Sequence, residues 1–266
     1  MACYLVHMVH VPTALVTGGN RGLGLETSKQ LAEQGYRVLL TARKLEDAER
    51  AAHELSGNIR PLALDVTDRE STAALVHEVA QLGRLDALVN NAGASLRGFN
   101  ADVARDTLAT NFFGPMQLTD ALLPQLTEDA RVVMVSSRMG ELSVLGSKLR
   151  QRFAQADLAR RALLDLVIEF VAAVERKDHQ RQGWPGNAYS MSKLALNALT
   201  RVLSRELRST GVRVNAVCPG WVRTRMGGHS ATRTPEEGAR GIVWAAMLPA
   251  GGPTGGFFRD GAAADW

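Results

Sequence analysis

The chain reads as a doubly wound α/β domain, a parallel sheet with helices on both faces, on three observations. Short apolar runs alternate with helical runs from residue 13 onward. Most of the strand-like runs are continuously apolar, as strands buried on both faces are. The first strand-to-helix turn is rich in glycine. A length of 266 residues accommodates one such domain.

The elements follow in order. "TALVTGG" (13–19) is an apolar strand ending in glycines, and "LGLETSKQLAEQG" (23–35) has helical spacing and a closing glycine. "YRVLLTAR" (36–43) predicts a second strand and "LEDAERAAHELS" (45–56) a second helix. The alternation continues through a strand at 60–68, a helix near 69–82, a strand at 85–93, a long helix near 102–126 and a strand at 130–137. A helix from about 188 to 209, a strand at 212–220, a helix near 235–248 and a short last strand around 255–261 complete it.

One segment breaks the rhythm. Between Ser137 and Tyr189, apolar residues at Leu158, Leu163, Leu166, Val167, Phe170, Val171 and Val174 recur at helical spacing opposite an arginine-rich face. The domain is therefore expected at 12–266, with a helical insert at about 141–183 and residues 1–11 as an N-terminal extension.

Composition narrows the function. The opening "MACYLVHMVHV" is too short and too interrupted to span a membrane, and it lacks the marks of a secretory signal. Cys3 and Cys218 stand far apart without metal-ligand spacing, so neither a disulfide nor a metal site is expected, and a reducing cytoplasm fits. The net charge of +4 comes from scattered residues, 26 arginines and 5 lysines against 27 acids, so no nucleic-acid partner is expected.

"TGGNRGLG" (17–24) places Gly18, Gly22 and Gly24 between the first strand and the first helix. Such a loop allows a tight turn and close backbone approach, and it aims the free N–H groups of a helix start at a pyrophosphate. NAD sites usually carry an acid at the end of the second strand, to bond the ribose hydroxyls. This chain has Arg43 there and Arg21 inside the loop. Two guanidinium groups suit a 2′-phosphate, so NADP(H) is the expected cofactor.

Tyr189 and Lys193 lie one helical turn apart on the same face. An ammonium beside a phenol favours the phenolate and lowers the tyrosine pKa, so Tyr189 can pass a proton. A serine at the end of "VVMVSS", Ser136 or Ser137, can hold a carbonyl oxygen.

Together "TGGNRGLG", "LDV" (64–66), "NNAG" (90–93), "TNFFG" (110–114), "VSS" (135–137), "YSMSK" (189–193) and "CPGWVRT" (218–224) resemble the short-chain dehydrogenase/reductase family, which has the Rossmann fold. The resemblance runs from about residue 12 to the C-terminus. Within the family the chain is most similar to the monomeric NADPH-dependent carbonyl reductases and the plant menthone and alkaloid reductases related to them. The long insert closing in "HQRQGWP" and the stretches "CPGWVRTRMGG" and "TPEEGA" carry that likeness.

The resemblance implies Ser137 as catalytic serine, with Ser136 its rival, and Tyr189 as proton donor. Lys193 would bond the nicotinamide ribose, and Asn111 would hold a water in the proton relay. Gly18, Asn20, Arg21, Gly22, Leu23 and Gly24 would line the phosphates, Asp65 and Val66 the adenine, and Asn91, Ala92 and Gly93 the adenosine ribose. Pro219, Gly220, Val222 and Thr224 would border the nicotinamide, and Trp221 would face substrate or pack in the core. The implied reaction is reduction of a small or medium ketone, aldehyde or quinone by NADPH. Alcohol oxidation with NADP uses the same residues in reverse, and a non-catalytic NADPH sensor is a third reading. The insert implies a monomer, because it would cover the helices through which most of the family pair.

Overall fold

The computed structural model describes residues 10–266. Most of the proposed N-terminal extension, Cys3 included, lies outside the described residues. His10 pairs with Asp86 at 3.0 Å.

Strands β1 (Thr13–Val16), β2 (Arg37–Ala42), β3 (Ile59–Ala63), β4 (Leu85–Asn90), β5 (Leu126–Val135), β6 (Arg213–Val217), β7 (Phe257–Arg259) and β8 (Ala262–Ala263) form one sheet in the order β3-β2-β1-β4-β5-β6-β7-β8. All pairings are parallel except β7 with β8, which is antiparallel. The sheet is mostly parallel, as expected, and the turn at Asp260 and Gly261, both at positive φ, folds the last residues back onto β7.

Although the strands read as continuous apolar runs, their side chains divide by the two-residue period of a pleated strand. Leu15, Leu39 and Leu88 enter one core, whereas Ala14, Val16, Val38, Ala87 and Val89 enter the other. Helices α1 (Gly22–Glu33), α2 (Leu45–His53) and α9 (Pro235–Ala246) cover the second face. The first is covered by α3 (Arg69–Leu82), α4 (Ala101–Leu108), α5 (Gly114–Leu122) and α8 (Ala188–Glu206).

The long helix expected near 102–126 is interrupted. A π-helical turn, Ala109–Phe113, separates α4 from α5. In a continuous α-helix the carbonyl of Asn111 would accept from residue 115, but Pro115 has no N–H. The periodic apolar pattern continues across the break, so the pattern alone does not reveal it.

The insert has its own two helices, α6 (Ser147–Ala154) and α7 (Arg160–Glu175). Phe153, Phe170 and Trp184 meet inside it, with ring centroids 6.2 Å and 5.8 Å from Trp184. Its two ends are pinned together. Gly146 N–H donates to Gly183 O at 2.8 Å, and a side chain on either glycine would fall about 3 Å from the other's Cα. The chain thus leaves and returns at almost one point, so the 52 positions from Ser137 to Tyr189 do not separate them in space.

Helix α7 lies against α4 and α8. Arg160 at its start bonds Asp120 of α5 at 2.6 Å and Glu206 of α8 at 2.5 Å, and Glu175 at its end pairs with Arg105 of α4.

Candidate active site

The strand order reverses between β1 and β4, and at such a switch point the carboxyl ends of the strands open a crevice. The glycine loop, the Asn91–Gly93 turn, the Ser136–Ser137 pair and the loop from Pro219 follow β1, β4, β5 and β6 on that edge.

Contacts bring these loops together. Thr17 Oγ1 accepts from the N–H groups of Asn91 at 2.9 Å and Ala92 at 2.8 Å. Asn91 Nδ2 donates back to Thr17 O at 2.7 Å. A methyl on Gly24 would strike Gly18 O at 2.3 Å and Asn91 Nδ2 at 2.4 Å, so only glycine permits the approach of α1 to this junction. Thr224 reaches Gly22 from the β6 loop, and Leu23 and Val222 meet beside Gly238. Gly19 N–H donates to Thr41 O at 2.8 Å, which holds the loop against the end of β2. Asn90 turns away into the core, where its Nδ2 lies 3.2 Å from Thr119 Oγ1.

Helices α3, α4, α8 and α9 have side-chain caps on their first N–H groups. Helix α1 has none, and no acid lies in its first turn. Its free N–H groups and dipole therefore suit an anion. Arg21 and Arg43 are exposed and have no side-chain partner among the described residues. Asn20 belongs to the same turn. The residues fit a dinucleotide bearing an extra phosphate. Asp65 and Val66 follow β3; the Asp65 carboxylate accepts from Thr67 N and Oγ1, and Val66 packs on Gly114.

Tyr189 occupies the first turn of α8, whose N-cap Asn187 accepts from Ser190 N–H at 2.9 Å. Lys193 follows one turn later, 5 % exposed, with Nζ donating to Val135 O at 2.7 Å and standing 5.6 Å from the Tyr189 ring centroid. Gly140 lets α8 close onto this strand end, since a Cβ there would lie 2.4 Å from the Lys193 carbonyl carbon. Ser136 Oγ is committed to Asn197 Oδ1 at 2.6 Å, whereas Ser137 Oγ, beside Tyr189, accepts from Met139 N–H at 3.2 Å. Of the two serines, Ser136 is buried and Ser137 half-buried.

Asn111 is fully buried; its Oδ1 accepts from Ala94 N–H at 2.7 Å, and its Nδ2 donates to Ala94 O at 2.8 Å and Ser192 Oγ at 2.9 Å. With both amide atoms engaged, the side chain braces the turn after β4. Asn111 Oδ1 and Lys193 Nζ both lie within 4 Å of where a Gly93 side chain would begin.

Burial pushes the Tyr189 hydroxyl up to about 12, against a downward pull from the Ser137 hydroxyl beside it. The expected lowering by Lys193 is thus not what the polypeptide produces; desolvation sets the direction. Burial brings Lys193 down to about 8. Trp221 is 53 % exposed and donates from its indole to Gly227 O at 2.9 Å, so it is not core. Thr17, Gly140 and Asn197 organise the site but were not anticipated. Only Thr17 leaves a signal, a hydroxyl at a strand end directly before glycines.

A family profile described as short chain dehydrogenase matches residues 12–148, and one described as Enoyl-(Acyl carrier protein) reductase matches 176–250. The chain belongs to the short-chain dehydrogenase family. Human carbonyl reductase [NADPH] 1 is 37 % identical over 97 % of this chain and 99 % of its own. Salutaridine reductase from Papaver somniferum superposes with a TM-score of 0.86 at 31 % identity, covering 94 % of this chain and 99 % of that one. The NADPH-bound carbonyl reductase from chicken fatty liver gives 0.71 at 26 % identity, covering 97 % and 100 %. Among the described residues no helix is long and apolar enough to cross a membrane.

Proposed function

We propose that this short-chain dehydrogenase family member reduces a ketone, aldehyde or quinone to the alcohol with NADPH, and that Tyr189 supplies the proton. The chain is an NADPH-dependent oxidoreductase. The observation that carries the residue assignment is the meeting of Ser137, Tyr189 and Lys193 on the edge that also holds the uncapped start of α1.

The reduced nicotinamide supplies the hydride when bound. Gly18, Asn20, Gly22, Leu23 and Gly24 would hold the phosphates at the start of α1, with Arg21 and Arg43 on the 2′-phosphate. Asp65 and Val66 would flank the adenine, Asn91 to Gly93 the adenosine ribose, and Pro219, Gly220, Val222 and Thr224 the nicotinamide. Ser137 donates a hydrogen bond to the substrate carbonyl oxygen and holds it beside the Tyr189 hydroxyl. Tyr189 then gives that oxygen its proton. The phenol is protonated at neutral pH, as an acid must be, and the Lys193 ammonium offsets the phenolate charge as it forms. Asn111 supports proton resupply behind Lys193. Trp221 borders the substrate. A reducing cytoplasm is proposed from the two widely separated cysteines.

The chain is further proposed to act as a monomer, because α7 packs on α4 and α8. Light scattering at micromolar concentration should return the 28.7 kDa mass of one chain, and a dimer mass would refute this.

Tyr189→Phe should lower kcat for a carbonyl substrate by roughly 100- to 10,000-fold while NADPH still binds. Turnover that survives the change would sink the assignment, and binding without turnover by the unmodified protein would indicate a sensor.

The pH dependence follows from the signs of the two shifts. Tyr189 keeps its proton far above neutrality, but Lys193 loses its charge as pH rises through about 8. At saturating NADPH, kcat/KM should be level near neutrality and fall above about pH 8; a profile still flat well above that value would rule out this role for Lys193. Removing one phosphate grip by Arg43→Ala should weaken NADPH about tenfold, roughly 1.4 kcal/mol, and leave NADH unchanged. Equal losses for both nucleotides in fluorescence titration would defeat the 2′-phosphate assignment.

A further inference from the structure

Three loops at the mouth of the site repeat one pattern. Of the eight exposed large hydrophobic side chains among the described residues, four stand there: Leu96 after β4, Met139 after β5, and Trp221 and Met226 after β6. These strands are neighbours, so the loops share the edge that holds Ser137 and Tyr189. Each loop also pairs an apolar residue with an arginine: Leu96 with Arg97, Met139 with Arg138, and Met226 with Arg225. A greasy mouth receives an apolar body, and guanidinium groups around it favour an anion.

Arg138 is the best placed of the three. It directly follows Ser137, in a turn held by the Met139 N–H bond to Ser137 Oγ and by the seating of Gly140 on Lys193. Its side chain is 61 % exposed, and Nε donates to Glu141 Oε1 at 2.6 Å. The terminal nitrogens Nη1 and Nη2 have no partner among the described residues. Glu141 thus fixes the plane of the guanidinium from one edge and leaves the end-on pair of N–H groups open, the geometry that grips a carboxylate in bidentate fashion.

We propose that Arg138 is a specificity-determining residue that selects carbonyl compounds carrying a carboxylate on the far side of an apolar or aromatic spacer. This rests on the reading that Tyr189 reduces a carbonyl held by Ser137. The carboxylate meets the open end of Arg138, the spacer lies against Met139 and Trp221, and the carbonyl reaches the two hydroxyls.

The test compares para-formylbenzoate with its neutral methyl ester as substrates, at saturating NADPH, for the unmodified protein, Arg138→Met and Arg138→Lys. The quantity read is the ratio of kcat/KM for acid over ester, in which intrinsic aldehyde reactivity and any general loss of activity cancel between proteins. The ratio should fall at least tenfold in Arg138→Met, mainly through KM of the acid. Arg138→Lys should restore part of it, because charge survives and the bidentate fork does not. A ratio that stays within twofold in Arg138→Met, with the ester still turned over, overturns the role of Arg138 and leaves carbonyl reduction standing. Reduction of neither aldehyde by the unmodified protein overturns both.

Discussion

A lysine ammonium buried at the end of a parallel strand sets the terms for the rest of this site. Taking such a charge out of water costs several kcal/mol unless it is hydrogen-bonded, and among the described residues Lys193 has one such bond, to the Val135 carbonyl. That bond requires α8 to lie almost on the backbone after β5. The approach is possible because residue 140 has no side chain, and it is locked where Asn197 accepts from Ser136 Oγ and donates to Gly140 O. Once α8 is seated, Tyr189 is carried to Ser137, and the two serines divide their work: one ties the helix down, the other faces the cleft.

The same constraint explains why a long insert is tolerated between two residues that must touch. Lengthening a loop adds entropy cost only as the logarithm of its length, and this excursion is closed at its base by the Gly146 to Gly183 hydrogen bond. It also contributes its own packing, with Phe170 and Trp184 joining the core beneath α8. The ion pairs of Arg160 and Glu175 are partly exposed and add little energy individually. Their geometry nonetheless fixes α7 at both ends across α4, α5 and α8.

Much of this was legible in the chain because the signals are local. A glycine-rich strand-to-helix turn, a one-turn Tyr189 to Lys193 spacing and apolar runs of strand length each need only a few neighbouring residues to be read. What was not legible depends on contacts between distant segments. The break at Asn111 lies inside an unbroken apolar pattern, and its reason appears only when Pro115 and the Ala94 turn are considered together. Leu126–Val135 is longer than its apolar part, because Leu126 pairs with Leu85 ahead of a register shift that leaves Thr127, Glu128 and Asp129 out of the ladder. The direction of the Tyr189 shift was misjudged for a related reason: the sequence shows the neighbouring charge but not how thoroughly the fold excludes water.

Residue choice at position 193 shows how strictly that dry environment selects. The chain has 26 arginines and only 5 lysines, so arginine is its usual surface cation. Arginine keeps its charge under all ordinary conditions, and its planar fork with five donors needs several acceptors. The strand end offers Lys193 one carbonyl, in a buried setting. An ammonium is compact, and desolvation alone brings it to about 8, near the pH at which a proton must be exchanged. Tyr189, moved the opposite way by the same dryness, stays a phenol until a developing oxyanion and the Lys193 charge make its proton loss favourable. One act of burial therefore places the two groups on opposite sides of their ordinary values, and it is the distance between them, maintained by one turn of α8, that lets the lysine charge offset the phenolate.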